Sequence, residues 1–212
     1  MAKKLRLGVL ASGGGTNLQS IIDKCAAGRI DAEVAVVISD VQCLALERAR
    51  KHGIPEHWLS RHDKLRFPTR EAFDAGVLER LQQHQVELVC LAGYLRIMTS
   101  ALVDPYAGRM INTHPALLPA FGGPGMWGHH VHQAVLDCGC KVSGCTVHFV
   151  SLETDGGPII LQRAVPVEED DTPETLAARI LPHEHELYSQ AIQLFAEGRL
   201  RIEGRRVRVL PR

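Results

Sequence analysis

Continuous apolar runs that alternate with helical spacing constrain the fold of this 212-residue chain most strongly. Leu5–Ala11 and Val34–Ser39 are almost entirely apolar, which is typical of strands covered on both faces of a sheet. Between them, Asn17–Ala27 places apolar residues three and four positions apart, which predicts a helix. A strand–helix–strand order requires a crossover connection and therefore predicts a parallel sheet.

The same patterns predict further elements along the chain. Helices are expected over Cys43–His52 and Glu71–Gln85. Thr172–Glu197 is a long helical pattern that begins with an N-cap threonine followed by a proline, and we expect Pro182 to bend or interrupt it. The other predicted strands lie at 88–92, 110–112, 145–150, 159–167, 200–202 and 207–210, the last two forming a hairpin.

These elements predict an α/β protein. We expect a single domain with a mostly parallel, twisted, Rossmann-like sheet, to which antiparallel strands are added near the C-terminus. No serine- or glycine-rich linker divides the sequence, so the domain is expected to cover residues 1–212. Its functional site is expected at the carboxyl ends of the strands.

Charge and hydropathy argue against some classes of partner. Lys and Arg number 24, as do Asp and Glu, so the formal net charge is zero. This balance argues against a broad basic field for nucleic acid or anionic lipid. No apolar run reaches the ~18 residues of a membrane span, and the apolar stretch after Met1–Arg6 is too short for a signal peptide. We expect a cytoplasmic protein that acts on small molecules as a monomer or a homodimer.

The six cysteines do not form a recognisable framework. Cys43 and Cys90 lie in apolar segments and are expected to be small core residues. Cys138, Cys140 and Cys145 follow histidines at 129, 130 and 132, but their spacing differs from that of paired zinc ligands. We therefore expect reduced thiols and no bound metal, with a histidine-based metal-dependent hydrolase as a less favoured alternative.

A glycine-rich segment, Gly13–Asn17, joins the first predicted strand to the first predicted helix. Glycines let a backbone approach a ligand closely, and a helix N-terminus offers free N–H groups to an anion. The sequence completes neither the G-x-G-x-x-G dinucleotide pattern nor the Walker Gly-Lys-Ser/Thr pattern. The segment predicts a site for a phosphate monoester rather than for NAD or ATP, and a glycine turn without a ligand is the alternative.

Two other segments carry candidate chemistry. Asn112 and His114 are two residues apart, so in an extended chain their side chains face the same side. An amide and an imidazole at a strand end can polarise a carbonyl group and move a proton. Asp155 lies in a loop with two glycines, and its carboxylate would favour the imidazolium form of His114 if the two side chains met.

Taken together, these segments resemble the folate-dependent glycinamide ribonucleotide formyltransferase family over nearly the whole chain, from Leu5 to about Leu200. Each segment alone is a weak signal, whereas seven in order at compatible spacing are a strong one. They are SGGGTNL at 12–18, FPTREAFD at 67–74, LAGYLRIM at 91–98, INTHPALLP at 111–119, SGCTVHFV at 143–150, TDGGPIILQ at 154–162 and EH at 184–185.

The resemblance implies a reaction, in which the formyl group of 10-formyltetrahydrofolate passes to the amine of 5′-phosphoribosylglycinamide in purine synthesis. It implies a phosphate-binding half over roughly 1–100 and a folate and catalytic half over roughly 90–200. The implied catalytic set is Asn112, His114 and Asp155. The implied substrate-binding residues are Gly15, Thr16, Asn17 and Glu184, of which Glu184 would face the ribose.

The resemblance also implies a folate site. Arg70 would contact the folate through its glutamate tail, and Ser151–Asp155 would close the other side of the pterin pocket. The segment beside the pterin would be Leu95, Arg96, Ile97 and Met98, with much of the contact made by backbone groups.

The sequence departs from the family pattern in three places. Gly14 stands where some members carry Asn, and Ala116 replaces the usual Ser of the HPSLLP stretch. Phe121–His132 is longer than in the shortest members, and it is expected to be either a mobile lid or a variable surface loop. Other functions left open are another formyl-folate transferase or hydrolase, and a non-catalytic phosphate- or folate-binding module. The phosphate segment favours the first function over these.

Overall fold

The computed structural model describes residues 3–212; Met1 and Ala2, the start of the stretch tested as a signal peptide, lie outside the described residues. The chain separates into two compact units, Met1–Ile111 and Asn112–Arg212. The boundary falls inside the strand Met110–His114. The expectation of one domain over residues 1–212 stays a prediction.

The first unit contains strands in the order β3-β2-β1-β4. β1 pairs in parallel with β2 and with β4, and β2 pairs in parallel with β3. The third strand is absent from the predictions because three residues are too few to show a periodicity. The strands are β1 (Leu5–Leu10), β2 (Ala32–Ser39), β3 (Glu56–Trp58) and β4 (Leu88–Leu91).

The central strands of this unit are buried, as the apolar runs predict. Val9, Val37 and Cys90 are fully buried, one from each of β1, β2 and β4. A Cβ atom on Gly8 would lie 2.5 Å from a methyl carbon of Leu81, so the glycine lets the helix that carries Leu81 pack directly on β1.

The first three helices of the first unit follow the predicted patterns within two residues, whereas the short fourth helix was not predicted. Thr69 caps the third helix, because its Oγ1 accepts a hydrogen bond from the Ala72 amide at 3.1 Å. Cys43 is half-buried at the N-cap of the second helix, so its assignment to the core is wrong, whereas that of Cys90 is confirmed. The helices are α1 (Thr16–Ala26), α2 (Leu44–Lys51), α3 (Arg70–Gln83) and α4 (Ser100–Val103), the last followed by a 3₁₀ turn (Asp104–Tyr106).

The second unit has strands in the order β5-β6-β7-β9-β8. The first of them, β5 (Met110–His114), begins two residues before the unit boundary. β6 and β7 are antiparallel, as are β8 and β9, while β7 and β9 are parallel. The α/β class, with a mostly parallel sheet and antiparallel strands near the C-terminus, is confirmed. The remaining elements are α5 (His129–Asp137), β6 (Val142–Phe149), β7 (Ile159–Pro166), α6 (Pro173–Ala196), β8 (Leu200–Glu203) and β9 (Arg206–Val209).

Two expectations about this unit need correction. The segment Phe121–His132 is not a loop throughout, because α5 begins at His129. Of the bend or interruption expected at Pro182, the interruption is wrong, because α6 continues through the proline. The side chains of Ile180 and Leu187 on either side of the proline are buried, and this packing holds the helix across the hydrogen bond that a proline cannot donate. The predicted N-cap at Thr172 is confirmed by its bond from the Thr175 amide.

Among residues 3–212, none of the helices combines the length and the apolar composition that a bilayer crossing requires.

A histidine pair joins β3 to the C-terminal end of α3. The Nε2 atoms of His57 and His84 are 3.0 Å apart, so one ring must accept the proton that the other donates. Burial lowers the pKa of both rings; His84 and Arg80 lower that of His57 further, and Arg6 and Arg80 lower that of His84. Each ring therefore resists the additional proton that would make it cationic.

We expect this pair to make the first unit less stable in acid. Below the ordinary histidine pKa of about 6.5 the unfolded chain binds protons that the folded rings refuse, so the free energy of unfolding falls as the pH drops through that value. In a His57→Gln/His84→Gln variant, the loss of unfolding temperature between pH 7.5 and pH 5.5 should shrink. The change should be roughly 1–3 °C, because solvent screens rings that are partly exposed. The exposed His62→Gln variant is the control, and an equal loss in all three proteins would contradict the assignment.

Candidate active site

The glycine segment of the first unit lies where its sequence predicts, between a strand and a helix. It connects β1 to α1, and Gly15 occupies the N-cap position with a φ of 69°. A Cβ atom at Gly15 would lie 2.9 Å from the Cα of Ala45, which is backbone and cannot move aside. Only glycine fits there, and the first turn of α1 begins directly after it, at Thr16 and Asn17.

Ser12 ties this segment to two other strand ends, a connection that the sequence does not predict. Its hydroxyl donates to Asp40 Oδ1 at 2.6 Å and accepts from the Leu95 amide at 3.1 Å. Its own amide donates to the Gly93 carbonyl at 3.0 Å. Asp40 is buried, and its other oxygen faces an Arg61 nitrogen at 3.6 Å. Ser12 therefore fixes the glycine segment and the start of Leu95–Met98 in one hydrogen-bonded arrangement.

Arg70, at the start of α3, contacts the segment Leu95–Met98, which the resemblance assigns to the pterin. Its Nη2 donates to the Ile97 carbonyl at 2.6 Å, and the guanidinium of Arg96 stacks over the Phe73 ring at 4.0 Å. The side chains of Leu95 and Ile97 are about half exposed. Arg70 and Leu95–Met98 thus come together within the first unit, with apolar side chains open to a ligand.

Polar atoms without a partner accompany this segment. The Tyr94 hydroxyl and Arg96 Nε are buried and have no hydrogen-bond partner among residues 3–212. Nearby, Asp74 accepts a hydrogen bond from the Thr99 amide at 2.6 Å, and burial raises the pKa of its carboxyl group, although this bond and two arginines oppose the rise. Buried polar groups are normally paired, so these atoms fit a segment that contacts a polar ligand.

In the second unit, Asn112 and His114 lie on β5, and His114 is buried. His114 Nε2 is 2.8 Å from the Phe121 carbonyl oxygen, so it donates a hydrogen bond there. His114 Nδ1 is 3.6 Å from Asp155 Oδ2, an ion-pair distance that is longer than a hydrogen bond. The structure thus brings His114 and Asp155 together, which the sequence alone could not establish.

Asp155 contacts three groups from an unusual backbone conformation. Its φ is 54°, which costs a non-glycine residue on the order of 1 kcal/mol. Oδ2 accepts a hydrogen bond from the Gly123 amide at 2.9 Å, and Oδ1 lies 3.7 Å from His148 Nε2. These contacts hold the carboxylate between two imidazole rings.

His148 is a member of this group that sequence reasoning misses. Its Nδ1 donates to the Phe149 carbonyl at 2.9 Å, which leaves Nε2 as an acceptor for the Asn112 amide at 3.4 Å. Burial lowers the pKa of His148, although Asp155 opposes the shift. The β6–β7 register also shifts between Val147 and His148, and such bulges re-aim side chains. The available signal was a lone histidine in the apolar run SGCTVHFV.

The three histidines that follow the glycine-rich stretch, at 129, 130 and 132, differ in how far they are buried. His132 is buried on α5, and burial, followed by His129 and His114, lowers its pKa. His129 is exposed and lies 3.0 Å from a Glu174 oxygen. His130 is exposed and packs edge-on against Trp127. Only His132 therefore faces the interior of the second unit.

Glu184 is buried on α6. Burial, followed by the charge of Glu184, raises the pKa of the Cys145 thiol to about 12. The carboxylate thus lies near β6, which carries Cys145. All six cysteines are free thiols, and within residues 3–212 no three His, Cys, Asp or Glu side chains are grouped as metal ligands would be.

Comparison with known proteins decides the family. The sequence profile of the formyl transferase family matches residues 5–192. This chain belongs to the formyl transferase family. The glycinamide ribonucleotide transformylase 1 of Symbiobacterium toebii has a similar structure, with a TM-score of 0.92 at 51% identity, covering 100% of this chain and 96% of that one.

Two curated relatives extend the comparison. The formyl transferase chain is 42% identical to the phosphoribosylglycinamide formyltransferase of Escherichia coli, over 92% of this chain and 88% of that protein. It is 43% identical to the trifunctional purine biosynthetic protein adenosine-3 of Bos taurus over 94% of this chain. The chain spans only 19% of the length of the bovine relative.

Replacing Gly15 tests the close approach at the glycine segment. Gly15→Ala combines a positive φ with a clash against the Ala45 backbone, so the free energy of unfolding should fall by about 1–3 kcal/mol. Affinity for inorganic phosphate, measured by chemical-shift titration, should fall at least ~10-fold, since the segment must move.

Gly28→Ala is the matched control, because Gly28 has a φ of 68° but open space around its Cβ position. It should lose only about 1 kcal/mol and keep its phosphate affinity. Equal loss of phosphate affinity in both variants would place the effect in general folding rather than in the segment.

Proposed function

We propose that this formyl transferase moves the formyl group of 10-formyltetrahydrofolate to the amine of 5′-phosphoribosylglycinamide in purine synthesis. The observation that carries the proposal is the cluster of His114, Asp155, Asn112 and His148 within the second unit. The names of the similar proteins support the same substrate. An amide, an imidazole and a carboxylate in contact suit acyl transfer, in which a carbonyl oxygen gains negative charge.

His114 would stabilise that charge. Its two ring nitrogens face two acceptors, the Asp155 carboxylate and the Phe121 carbonyl oxygen, and an imidazolium has two matching N–H donors. The formyl oxygen would replace the Phe121 carbonyl as the acceptor at Nε2. Asp155 would keep the opposite side of the ring oriented and charged, so that the donor at Nε2 is cationic when the oxyanion develops.

Asn112 would supply the second donor. One Nδ2 hydrogen points to His148 Nε2, and this bond orients the amide while leaving its other hydrogen for the formyl oxygen. The bond requires an unprotonated His148 Nε2, which the lowered pKa of this buried ring provides. His148 would therefore act on the reaction through Asn112 rather than on the substrate.

The reaction balances without a redox partner or a metal. The C–N bond to folate N10 breaks, a C–N bond to the glycinamide amine forms, and one proton passes from that amine to N10. Asp155 would hold His114 charged or position a water that carries the proton. Each preorganised donor to the oxyanion contributes on the scale of a few kcal/mol to the barrier.

Substrate binding is proposed from the other expected residues. Gly15, Thr16 and Asn17 would hold the phosphate through N–H groups and side-chain donors at the start of α1. Glu184 would face the ribose.

The folate would lie against Leu95, Arg96, Ile97 and Met98, with Arg70 at its glutamate tail. Two backbone groups of this segment already have partners, since the Leu95 amide donates to Ser12 and the Ile97 carbonyl accepts from Arg70. Folate hydrogen bonds would therefore use the remaining groups, and the unpaired Arg96 Nε suits such a contact.

The wider setting is part of the proposal. We expect a cytoplasmic enzyme of one domain, a monomer or a homodimer, with small-molecule substrates and without nucleic acid, membrane or metal. The zero net charge and the glycine segment that fits neither NAD nor ATP support this expectation.

One assay tests the function. The purified protein is mixed with 10-formyltetrahydrofolate, with and without 5′-phosphoribosylglycinamide, and deformylated folate is followed by absorbance. Formation that requires the amine supports the transferase. Formation without the amine would indicate a hydrolase, and no formation a binding module. Activity that a chelator abolishes and zinc restores would contradict the metal-free mechanism.

Replacing Asp155 by Asn should lower kcat at least ~100-fold, comparable to the loss of a preorganised oxyanion donor. The amide oxygen can still accept from Gly123, so the thermal midpoint should change little. The control is Asp137→Asn, which removes a carboxylate that accepts from Gln133 at 2.7 Å on the exposed side of α5. A kcat of Asp155→Asn within a few-fold of the original would contradict the role of the carboxylate.

A further inference from the structure

Two carbonyl groups of the glycine segment, those of Gly13 and Gly14, point towards α2, which supplies their hydrogen-bond donors. The Ala45 amide donates to the Gly13 carbonyl at 3.2 Å. Arg48 Nε, one turn along the same helix, donates to the Gly14 carbonyl at 2.9 Å. Arg48 has no part in the expectations from sequence.

These bonds set the direction of the amides that follow. In a planar trans peptide the carbonyl of one residue and the N–H of the next point in opposite directions. When Arg48 holds the Gly14 carbonyl towards α2, the Gly15 N–H must point away from α2. The same holds for the Gly13 carbonyl and the Gly14 N–H. Carbonyl oxygens that would repel an anion are thus turned away, and N–H groups are turned outward.

Arg48 is itself held at a second point. Its Nη1 donates to Gln19 Oε1 on α1 at 3.1 Å, and its Cδ would lie 3.4 Å from a Cβ at Gly15. The guanidinium fork therefore bridges the segment and the first turns of α1. It also places a permanent positive charge beside the segment.

We propose that Arg48 is a positioning residue for the phosphate of the substrate: through the Gly14 carbonyl it orients the N–H groups of the glycine segment towards a bound phosphate. The inference rests on the proposed function for the identity of the phosphorylated substrate. The binding of phosphate itself does not depend on the proposed function.

The test uses Arg48→Gln and Arg48→Lys in the full chain. Kd for inorganic phosphate is measured by chemical-shift titration, and KM is measured for each substrate. Arg48→Gln should raise Kd for phosphate and KM for 5′-phosphoribosylglycinamide about 10-fold, the effect expected for one lost charge-assisted hydrogen bond. KM for the folate and kcat at saturation should stay within about 2-fold. Arg48→Lys keeps a cationic donor for Gly14 and should recover most of the affinity.

Arg50→Gln is the matched control. Arg50 lies two residues further along α2, is exposed, and its Nη2 pairs with Glu56 at 2.7 Å. The substitution removes the same charge from the same helix without touching the glycine segment, so both KM values and the phosphate Kd should stay unchanged. An equal rise in phosphate Kd for Arg50→Gln would assign the effect to overall charge and overturn the proposal.

Three other outcomes would also contradict the role of Arg48. An unchanged phosphate Kd in Arg48→Gln, equal weakening of both substrates, or no binding of phosphate by the unaltered protein would each overturn the proposal. If Arg48→Gln does not fold, Gln19→Ala removes the second anchor, and its phosphate Kd should rise about 3-fold; no rise would count against Arg48. A protein that binds phosphate through Arg48 but transfers no formyl group would refute the proposed function and leave this inference standing.

Discussion

The candidate anion site depends on the parallel pairing of β1 with both β2 and β4. Parallel strands end at the same edge of a sheet, so the residues after β1, β2 and β4 come close although they are far apart in sequence. Ser12, Asp40 and Gly93 follow these three strands, and all three take part in the hydrogen bonds that fix the glycine segment. Without this pairing, the segment would lose the hydrogen bonds that Ser12 makes to Asp40, Gly93 and Leu95.

In the second unit, the carboxylate of Asp155 fixes the candidate site, as the hydrogen bonds of Ser12 do in the first unit. Its carboxylate faces two imidazoles and accepts from the Gly123 amide, and these contacts offset the cost of its positive φ. The two rings differ in their partners. His148 uses one nitrogen as a donor and the other as an acceptor, whereas His114 faces acceptors on both sides. One carboxylate can thus lie between a neutral ring and a ring suited to carry a proton.

Sequence reasoning reached the parts of this arrangement that depend on local pattern. The buried strands, the position of the glycine segment between a strand and a helix, and the Thr172 cap are confirmed, because apolar periodicity, glycine and capping residues act over a few positions. The strand Glu56–Trp58 is too short for such a pattern. Asp40 and His148 were missed for a different reason. Asp40 is bonded to Ser12, 28 residues away, and His148 to Asn112, 36 residues away, and only the sheet pairing brings these partners together.

Both candidate sites include a glycine-rich segment whose peptide groups need to be oriented. A glycine-rich segment has no side chains to orient it, so the direction of its peptide groups must be set by charged or polar side chains from other elements. In the first unit Arg48 holds the Gly14 carbonyl. In the second, Asp155 holds the Gly123 amide and His114 holds the Phe121 carbonyl. Each of these side chains lies outside the segment that it orients. The proposed sites for an anion and for an oxyanion therefore need no net charge on the chain, because a few fixed dipoles and local charges would replace a broad electrostatic field.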